Sequence, residues 1–308
     1  MTQNKTQQKP KFKAPLKDSD IFSRDLIKKR RERIATNFTN HAFLNQEISA
    51  RLIDNLQDIK RDFKTILNMN GHDQLIKHAL PQSLILKQDL ALTMIKNSSC
   101  FALQADEELI PIQNQCLDLV LSCLNLHWVN DLPGTLVQLL SCLKPDGLFI
   151  AAMLGGETLT ELRQAMMKAD IDHLGGISPH ISPFIDVRDA GALLQRVGFA
   201  LPVVSTERIT VTYTDAFALM KELKAMGENN ALIKRSKGLS SPKLMMKVAE
   251  VYHDMFADDT SRIPATFDII YLQGWAPDES QQKPLKPGSA KMSLKDALGA
   301  MPPENKNL

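Results

Sequence analysis

The sequence lacks long apolar runs, closely spaced cysteine pairs and any strong excess of charge of one sign. Without about 18 consecutive apolar residues, no segment is predicted to span a membrane as a helix. The net charge of +2 over 308 residues argues against a nucleic-acid-binding or membrane-surface protein. The four cysteines form no C-x-x-C motif, which indicates a reducing compartment and argues against disulfides or a thiolate metal site.

The chain has the composition of an ordinary globular protein, with 44% hydrophobic and 23% charged residues. Its N-terminus, MTQNKTQQKPKFKAPLK, has neither the apolar core of a secretory signal nor the arginine-rich pattern of a mitochondrial presequence. We therefore expect a cytoplasmic bacterial protein, or a mitochondrial matrix protein if the source is eukaryotic. Residues 1–18 and 279–308 are expected to be loose tails around one domain, 19–278.

Two helices are predicted before the first strand, within residues 19–60. The first is expected to begin near Ser19, with Asp18, Ser19 or Asp20 as its cap, and it carries the basic block KKRRER at 28–33. No aromatic residue accompanies this block and Glu32 interrupts it. We interpret it as a solvated helix face rather than a nucleic-acid-binding patch.

From residue 64 onward, strand and helix patterns alternate, which predicts a parallel sheet with helices on both faces. The first five predicted strands occupy 64–69, 83–88, 101–106, 116–123 and 145–154. A helix over 186–197 is expected to end at Gly198. Two further strands are predicted at 203–213 and 265–275, and the residues between them, 215–255, form a long helical stretch.

The stretch TILNMNGHDQLIKHAL, residues 65–80, has the strand–turn–helix pattern of a nucleotide-binding unit, yet its turn contains one glycine, Gly71. Ligands of such sheets bind at the carboxyl ends of the strands. Asp89 lies there, about 20 residues after Asn68, the usual spacing for a carboxylate that accepts from ribose hydroxyls. Asp106 follows the third strand and could accept from an adenine amino group. Each aspartate could instead cap a helix, but the pair favours a nucleoside site.

Several segments occur in an order typical of one family. They are ADEELIPI (105–112), CLDLVLSCLNLHWVNDLP (116–133), LKPDGLFIAAMLGGETLTELR (143–163), GGISPHISPF (175–184), MGENN (226–230) and IPATFDIIYLQGW (263–275). Over residues 19–296 the sequence resembles the class I S-adenosylmethionine-dependent methyltransferases, and among them the assembly factor 5 family of NADH:ubiquinone oxidoreductase (complex I). LHWVNDLP and LKPDG also occur in the malonyl-acyl-carrier-protein methyltransferase of biotin synthesis, whereas GGISPHISPF and PATFDIIYLQGW indicate the assembly-factor branch.

The resemblance implies an α/β fold: a Rossmann-like, doubly wound seven-stranded sheet that ends in an antiparallel hairpin, with residues 214–258 as a helical insertion between the last two strands. It also implies S-adenosyl-L-methionine as cofactor. The cofactor-binding positions that it implies are Asn68, Gly71, Asp89, Leu90, Asp106, Glu107 and Ser122.

The family's first motif resembles L-D-L-G-C-G-x-G, and this chain departs from it. Asn68 replaces the aspartate, and Asn70, His72 and Gln74 replace the three glycines. These side chains remove backbone clearance, and the change at Asn68 removes a charge-assisted acceptor. We expect an intact nucleoside end, an altered methionine end, and cofactor binding that is weak or lost.

Catalytic candidates are sparse. His127 and Trp128 follow the fourth strand, where a general base or an aromatic wall could lie. Glu157 and Arg163 could line the same opening or simply begin a helix. His180, in a loop with two prolines, could gate a substrate channel or only pack the loop. The chain contains no H-x-D motif for an iron-binding facial triad, so no metal site is predicted.

Three functions remain open at this point. The animal members of the family are credited with hydroxylating an arginine of an iron–sulfur subunit of complex I. The first hypothesis is therefore an enzyme that hydroxylates or methylates a complex I subunit, associated with membranes only through that complex and with no nucleic-acid partner. The second is a malonyl-acyl-carrier-protein methyltransferase, and the third is an inactive assembly chaperone. The family-specific segments favour the first and third, and whether catalysis survives the altered turn stays open.

Overall fold

A computed structural model describes residues 20–236, 238 and 241–282, so nearly all of both predicted tails lies outside the described residues. The described strands form one seven-stranded sheet. They are β1 (Thr65–Met69), β2 (Leu84–Asp89), β3 (Phe101–Gln104), β4 (Leu117–Cys123), β5 (Leu143–Leu154), β6 (Ala200–Tyr213) and β7 (Ile263–Trp275). The spatial order is β3-β2-β1-β4-β5-β7-β6. Neighbours among β1–β5 are parallel, and β7 is antiparallel to both β5 and β6.

The described residues also form nine α-helices. They are α1 (Arg24–Ile34), α2 (Phe43–Gln57), α3 (Asp73–Ala79), α4 (Leu92–Ile95), α5 (Leu132–Cys142), α6 (Thr160–Leu174), α7 (Val187–Val197), α8 (Ala216–Met226) and α9 (Pro242–Phe256). The predicted α/β fold, its antiparallel last pair and the helical insertion between those strands are confirmed. None of the described helices is long and apolar enough to cross a membrane.

Hydrophobic cores cover both faces of the sheet. On β7, Phe267 and Ile269 face the core built with α2, α6, α8 and α9, while Ile270 and Leu272 face the core built with α5 and α7. This alternation is the two-residue period of a strand. Because both faces are covered, the ends of the parallel strands are the place where polar side chains meet a ligand.

Helix ends follow local chemistry. Asp215 starts α8 by accepting from the backbone N–H groups of Phe217 (2.8 Å) and Ala218 (2.9 Å). Gly198 ends α7 with φ +101°, a left-handed conformation that glycine adopts without steric cost, as predicted. Gly227 ends α8 in the same way, with φ +89°.

One helix boundary differs from the prediction. Helix α1 begins at Arg24 rather than near Ser19, because residues 21–23 pair with residues 231–233 instead of coiling. The Ser23 N–H donates to the Ala231 carbonyl and the Ile233 N–H to the Ile21 carbonyl, both at 2.9 Å. The predicted helical stretch 215–255 consists of two helices, α8 (Ala216–Met226) and α9 (Pro242–Phe256).

Candidate functional site

The turn after β1 takes its shape from asparagine side chains. Asn70 has φ +66°, a left-handed conformation that asparagine tolerates better than most residues. Its side-chain amide donates to the Cys123 carbonyl at 2.9 Å, and its backbone carbonyl accepts from the side-chain amide of Asn45 at 2.7 Å. The side chain at this glycine position therefore joins the turn to the end of β4.

Asn68 closes the same turn. Its Oδ1 accepts from the Gly71 N–H at 2.7 Å, and its Nδ2 donates to the Gly71 carbonyl and to Asp73 Oδ1, both at 3.1 Å. A Cβ on Gly71 would lie 2.6 Å from Asn68 Oδ1 and 2.7 Å from a methyl group of Leu121. The turn therefore requires glycine at position 71, and hydrogen bonds of the Asn68 side-chain amide stabilise it.

Asp89, at the end of β2, is 1% exposed, and both carboxylate oxygens have partners. Oδ1 accepts from the Ala91 N–H at 2.7 Å, and Oδ2 is 2.9 Å from Arg31 Nη1. Arg31 Nη2 also donates to Asn125 Oδ1 at 3.1 Å, and Glu107 Oε1 lies 3.5 Å from Arg31 Nη1. Burial raises the pKa of Asp89, and the charge of Arg31 opposes that rise only in part.

Asp106, after β3, is held by a second arginine of α1. Arg24 Nη2 donates to Asp106 Oδ1 at 2.7 Å and also contacts Glu107, while Arg24 Nη1 donates to the Trp128 carbonyl at 3.0 Å. Burial disfavours the charged guanidinium, but Glu107, Asp106 and the nearby Glu108 outweigh it and raise the pKa of Arg24. The two predicted nucleoside carboxylates thus both face α1.

These contacts correct the interpretation of the basic block at 28–33 as a solvated helix face. Arg31 is 8% exposed and Arg30 is half-buried, with its Nη1 donating to the Asn229 carbonyl at 2.8 Å. The arginines of α1 pack against the sheet edge because the buried carboxylates there require a counter-charge. The carboxylates and the arginines are too far apart in sequence for helix periodicity to reveal the pairing.

A small cavity lies between α1 and the turn, lined by Arg31, Asn45, Asn70 and Trp128 among others, with a volume of about 30 Å³. That volume holds one or two water molecules and cannot hold a nucleoside. Three buried polar atoms at the same sheet edge have no hydrogen-bond partner among the described residues, namely Gln88 Oε1, Ser122 Oγ and Asn125 Nδ2. The edge therefore has polar groups suited to a ligand, but α1 fills the space above them.

Two histidine–carboxylate pairs lie on the other side of the strand ends. His127, in a short 3-10 helix (Leu126–Trp128), places Nε2 3.1 Å from Glu228 Oε2, and Trp128 Nε1 donates to Glu228 Oε1 at 3.4 Å. His180 Nε2 lies 2.9 Å from Asp170 Oδ2. A cavity of about 430 Å³ beneath the helical insertion, called here the acceptor cavity, is lined by Trp128, His180 and Glu228.

The two pairs have opposite orientations. In one, the carboxylate of Glu228 faces the acceptor cavity and His127 supports it from behind. In the other, the imidazole of His180 faces the cavity and the buried carboxylate of Asp170 supports it. A supported carboxylate suits a cationic group, whereas a carboxylate-oriented imidazole suits proton transfer.

The remaining predicted site residues lie at the rim or outside the acceptor cavity. Arg163 donates to the Thr158 carbonyl at 3.5 Å and the Ser182 carbonyl at 3.4 Å, so it fastens the 175–184 loop to α6. Leu90 packs in a small cluster with Trp128 and residues of α1. Among the described residues, no group of three or more His, Cys, Asp or Glu side chains is arranged to hold a metal ion.

Sequence reasoning missed four residues that shape the site: Arg24, Arg31, Asn125 and Glu228. The basic block contained a signal for Arg31, although its spacing also fits a surface helix. Glu228 lies in MGENN, a segment that carried the family resemblance without any chemical role. Pairings between residues about 100 positions apart leave no local pattern.

The chain is similar to known methyltransferases in sequence and in fold. Residues 55–151 match the family of methyltransferase domains. The YcgJ protein from Bacillus subtilis has a TM-score of 0.51 at 12% identity, over 75% of this chain and 98% of that one. A Bacillus halodurans protein assigned to the methyltransferases has a TM-score of 0.52, also at 12% identity, over 74% of this chain and 99% of that one. The chain has the class I methyltransferase fold, and S-adenosylmethionine is the cofactor of that class.

Sequence relatives define the family. The chain is 41% identical over 302 residues to the human mitochondrial arginine-hydroxylase NDUFAF5, covering 94% of this chain and 87% of that protein. It is 36% identical to the zebrafish (Danio rerio) arginine-hydroxylase NDUFAF5, over 90% and 89% of the two chains. A malonyl-acyl-carrier-protein O-methyltransferase from Laribacter hongkongensis is 32% identical over 83% and 91%. The chain belongs to the NDUFAF5 family, the assembly factor 5 family that the sequence motifs indicated.

Proposed function

We propose that this protein modifies an arginine side chain of a complex I subunit during assembly of that complex. The observation that carries the proposal is the 41% identity to the human arginine-hydroxylase NDUFAF5 across 94% of this chain and 87% of that one. An identity of this size over nearly the full length of both proteins includes the helical insertion that covers the acceptor cavity. We propose an iron–sulfur subunit as the partner.

One carboxylate of the acceptor cavity, that of Glu228, supports a cationic side chain as substrate, and Arg30 and Arg235 line the same cavity at other points. The carboxylate of Glu228 is held in place by His127 Nε2 and Trp128 Nε1 and still has lone pairs for a guanidinium. The Trp128 ring forms part of the same wall, and an aromatic face adds cation–π attraction. His180, oriented by Asp170, is the residue of this cavity best suited to accept a proton.

The cofactor end is less open in this arrangement. Asp89 and Asp106 are the groups that would accept from the ribose and the adenine of S-adenosylmethionine, yet Arg31 and Arg24 already occupy them. The cavity of about 30 Å³ is too small for the cofactor with the side chains in these positions. Cofactor binding therefore requires Arg24 and Arg31, or α1 as a whole, to move away from the two carboxylates.

The test is a deletion of the gene in its native cells. We expect lower levels of assembled complex I, and we expect one arginine of an iron–sulfur subunit to lose a modification that mass spectrometry detects in the parent. Pull-down of the tagged protein should recover the same subunit. Complementation with the wild-type gene should restore both complex I and the modification, and an empty vector should restore neither.

A second candidate function is methylation of a malonyl-acyl-carrier protein, favoured by the 32% identity to the Laribacter hongkongensis enzyme. Its signature in the same deletion strain would be a requirement for biotin together with normal complex I. That pair of results would overturn the proposed function. If the modification persists while complex I falls, the protein is a non-catalytic assembly factor.

A further inference from the structure

A second large cavity lies next to the acceptor cavity. It is formed by the C-terminal half of α1 and by α8, and its volume is about 740 Å³. Arg30, Arg33, Lys221 and Lys224 line it, and Glu222 is its one acidic lining residue among the described residues. These side chains leave a formal excess of three positive charges. This cavity is called here the basic cleft.

The positive charges of the basic cleft are not neutralised within the protein. Arg24 and Arg31 of the same helix form ion pairs with carboxylates, whereas none of the four basic residues of the cleft forms an ion pair in the part of the chain that the structure describes. The Arg30 guanidinium bonds only a backbone carbonyl, that of Asn229. Burial, and the nearby charges of Arg235 and Arg33, lower the pKa of Arg30 to about 10.

Like charges held together without counter-ions raise the free energy of the unbound protein, and an anionic partner relieves that repulsion. The side chains of Arg33, Lys221 and Lys224 are exposed, so a partner can reach them. They are spread around a wide cavity rather than converging on one point. This arrangement fits several carboxylates along a polypeptide better than a single small anion.

The basic cleft adjoins the acceptor cavity, because Arg30 and Asn229 line both. A chain lying in the cleft is therefore next to the place where Glu228 and His180 face the cavity. We propose that the basic cleft binds an acidic segment of the protein whose side chain enters the acceptor cavity. The statement that this partner is a protein rests on the proposed function, whereas its acidic character rests on the cleft alone.

A single-stranded nucleic acid fits the cleft less well. Such ligands stack their bases on exposed aromatic rings, whereas among the described lining residues Tyr213 is 7% exposed and belongs to the core, and His41 is half-buried. An excess of three charges is also small for a ligand that carries one charge per nucleotide. An acidic polypeptide is the occupant that the lining favours.

The test compares two triple variants of the full chain with equal change of charge. The cleft variant is Arg33→Gln, Lys221→Gln and Lys224→Gln. The control variant is Lys96→Gln, Lys168→Gln and Lys243→Gln, three exposed lysines that line neither cavity. Fluorescence anisotropy measures binding of a labelled 12-residue peptide rich in Asp and Glu, a neutral peptide with Asn and Gln at those positions, and a single-stranded oligonucleotide. Thermal melting verifies that each variant is folded.

We expect the wild-type protein to bind the acidic peptide in a salt-dependent way and to ignore the neutral one. The cleft variant should lose about tenfold in affinity, because it removes three exposed ion pairs with the peptide, and the control variant should lose less than about twofold. Equal losses in both variants would show a mere effect of net charge and would overturn the proposal. Tighter binding of the oligonucleotide, lost in the cleft variant, would also overturn it in favour of a nucleic acid.

Failure of the cleft and failure of the proposed function give different results. Peptide binding needs neither turnover nor cofactor, so it is measured whatever reaction the protein performs. If the cleft variant binds the peptide normally while the gene deletion lowers complex I, only the cleft proposal is wrong. If the peptide binds as expected while the deletion leaves complex I unchanged, only the complex I function is wrong.

Discussion

The ion pair between Arg31 and Asp89 gives the sharpest prediction about stability. Arg31 has a side-chain exposure of 10% and Asp89 of 1%, and their closest atoms are 2.9 Å apart. Removal of one partner of a buried pair leaves the other charge without compensation, at a cost of about 3–5 kcal/mol. We therefore expect Arg31→Met to lower the free energy of unfolding by about that amount.

Replacement of the other partner, Asp89, should lower the free energy of unfolding by less. In Asp89→Asn the amide oxygen can still accept from the Ala91 N–H, and Glu107, 3.5 Å from Arg31, still neutralises the guanidinium. The double variant Arg31→Met/Asp89→Asn should be more stable than the sum of the two single effects implies, by at least about 1.5 kcal/mol, because the unpaired buried carboxylate of Asp89 is gone.

Urea unfolding followed by circular dichroism measures these differences, provided that the transitions are two-state with a constant slope. The matched control is Arg51→Met, which breaks an ion pair with Glu207 whose side chains are 33% and 42% exposed. Exposed pairs contribute about 0.2–1 kcal/mol, so the control should be nearly silent. A loss below about 1 kcal/mol for Arg31→Met, or strictly additive effects in the cycle, would show that α1 does not sit on Asp89 in solution.

Four further substitutions have defined outcomes. Gly71→Ala should destabilise the protein by about 1–3 kcal/mol in urea unfolding, because the new Cβ meets three atoms within 2.9 Å. Burial raises the pKa of Asp118, but its donors, chiefly Lys144, outweigh burial and hold it below 3.8, so its stabilisation exists above that pH and is lost on acidification. Asp118→Asn should therefore weaken the dependence of the free energy of unfolding on pH in the acidic range. His180→Gln should reduce the modified fraction of the subunit at least tenfold with little change in melting temperature, whereas Asp170→Asn should lower both.

The sheet was predictable because its determinants are local. Each parallel strand is a short apolar run bounded by turn residues, and β6 and β7 show the alternation of a hairpin. Gly198 is a local signal of the same kind. The family motifs added the antiparallel order of the last two strands, which periodicity alone does not define.

One part of the prediction about the glycine-poor turn can be compared with the structure, whereas weak or lost cofactor binding stays a prediction. Asparagine at position 70 does adopt positive φ, as its tolerance for that region suggests. The sequence could not show that Asn68 and Asn70 satisfy the hydrogen bonds of the turn themselves. Two of these hydrogen bonds are made with Asn45 and Cys123, which lie in other elements of the fold.

The environment of α1 could not be predicted, because it is decided by tertiary contacts. An arginine on an amphipathic helix is normally solvated, and only the arrival of Asp89 and Asp106 at the same sheet edge reverses that preference. The start of the helix was misplaced for a related reason. Residues 21–23 find backbone partners in a segment about 210 positions away, and those bonds replace the helical ones.

One helix thus borders the predicted cofactor end, the acceptor cavity and the basic cleft. Arg24 and Arg31, seven residues apart and so on one face of α1, bind Asp106 and Asp89, the two predicted nucleoside carboxylates. Arg30, next to Arg31 but turned by about 100°, lines the acceptor cavity and the basic cleft. A movement of α1 that frees Asp89 for a cofactor would also shift Arg30, whose Nη1 donates to the Asn229 carbonyl. Binding of a cofactor and docking of a partner therefore both depend on the position of α1. A coupling between two sites is reciprocal, so that the factor by which one ligand changes the affinity of the other also applies in the opposite direction.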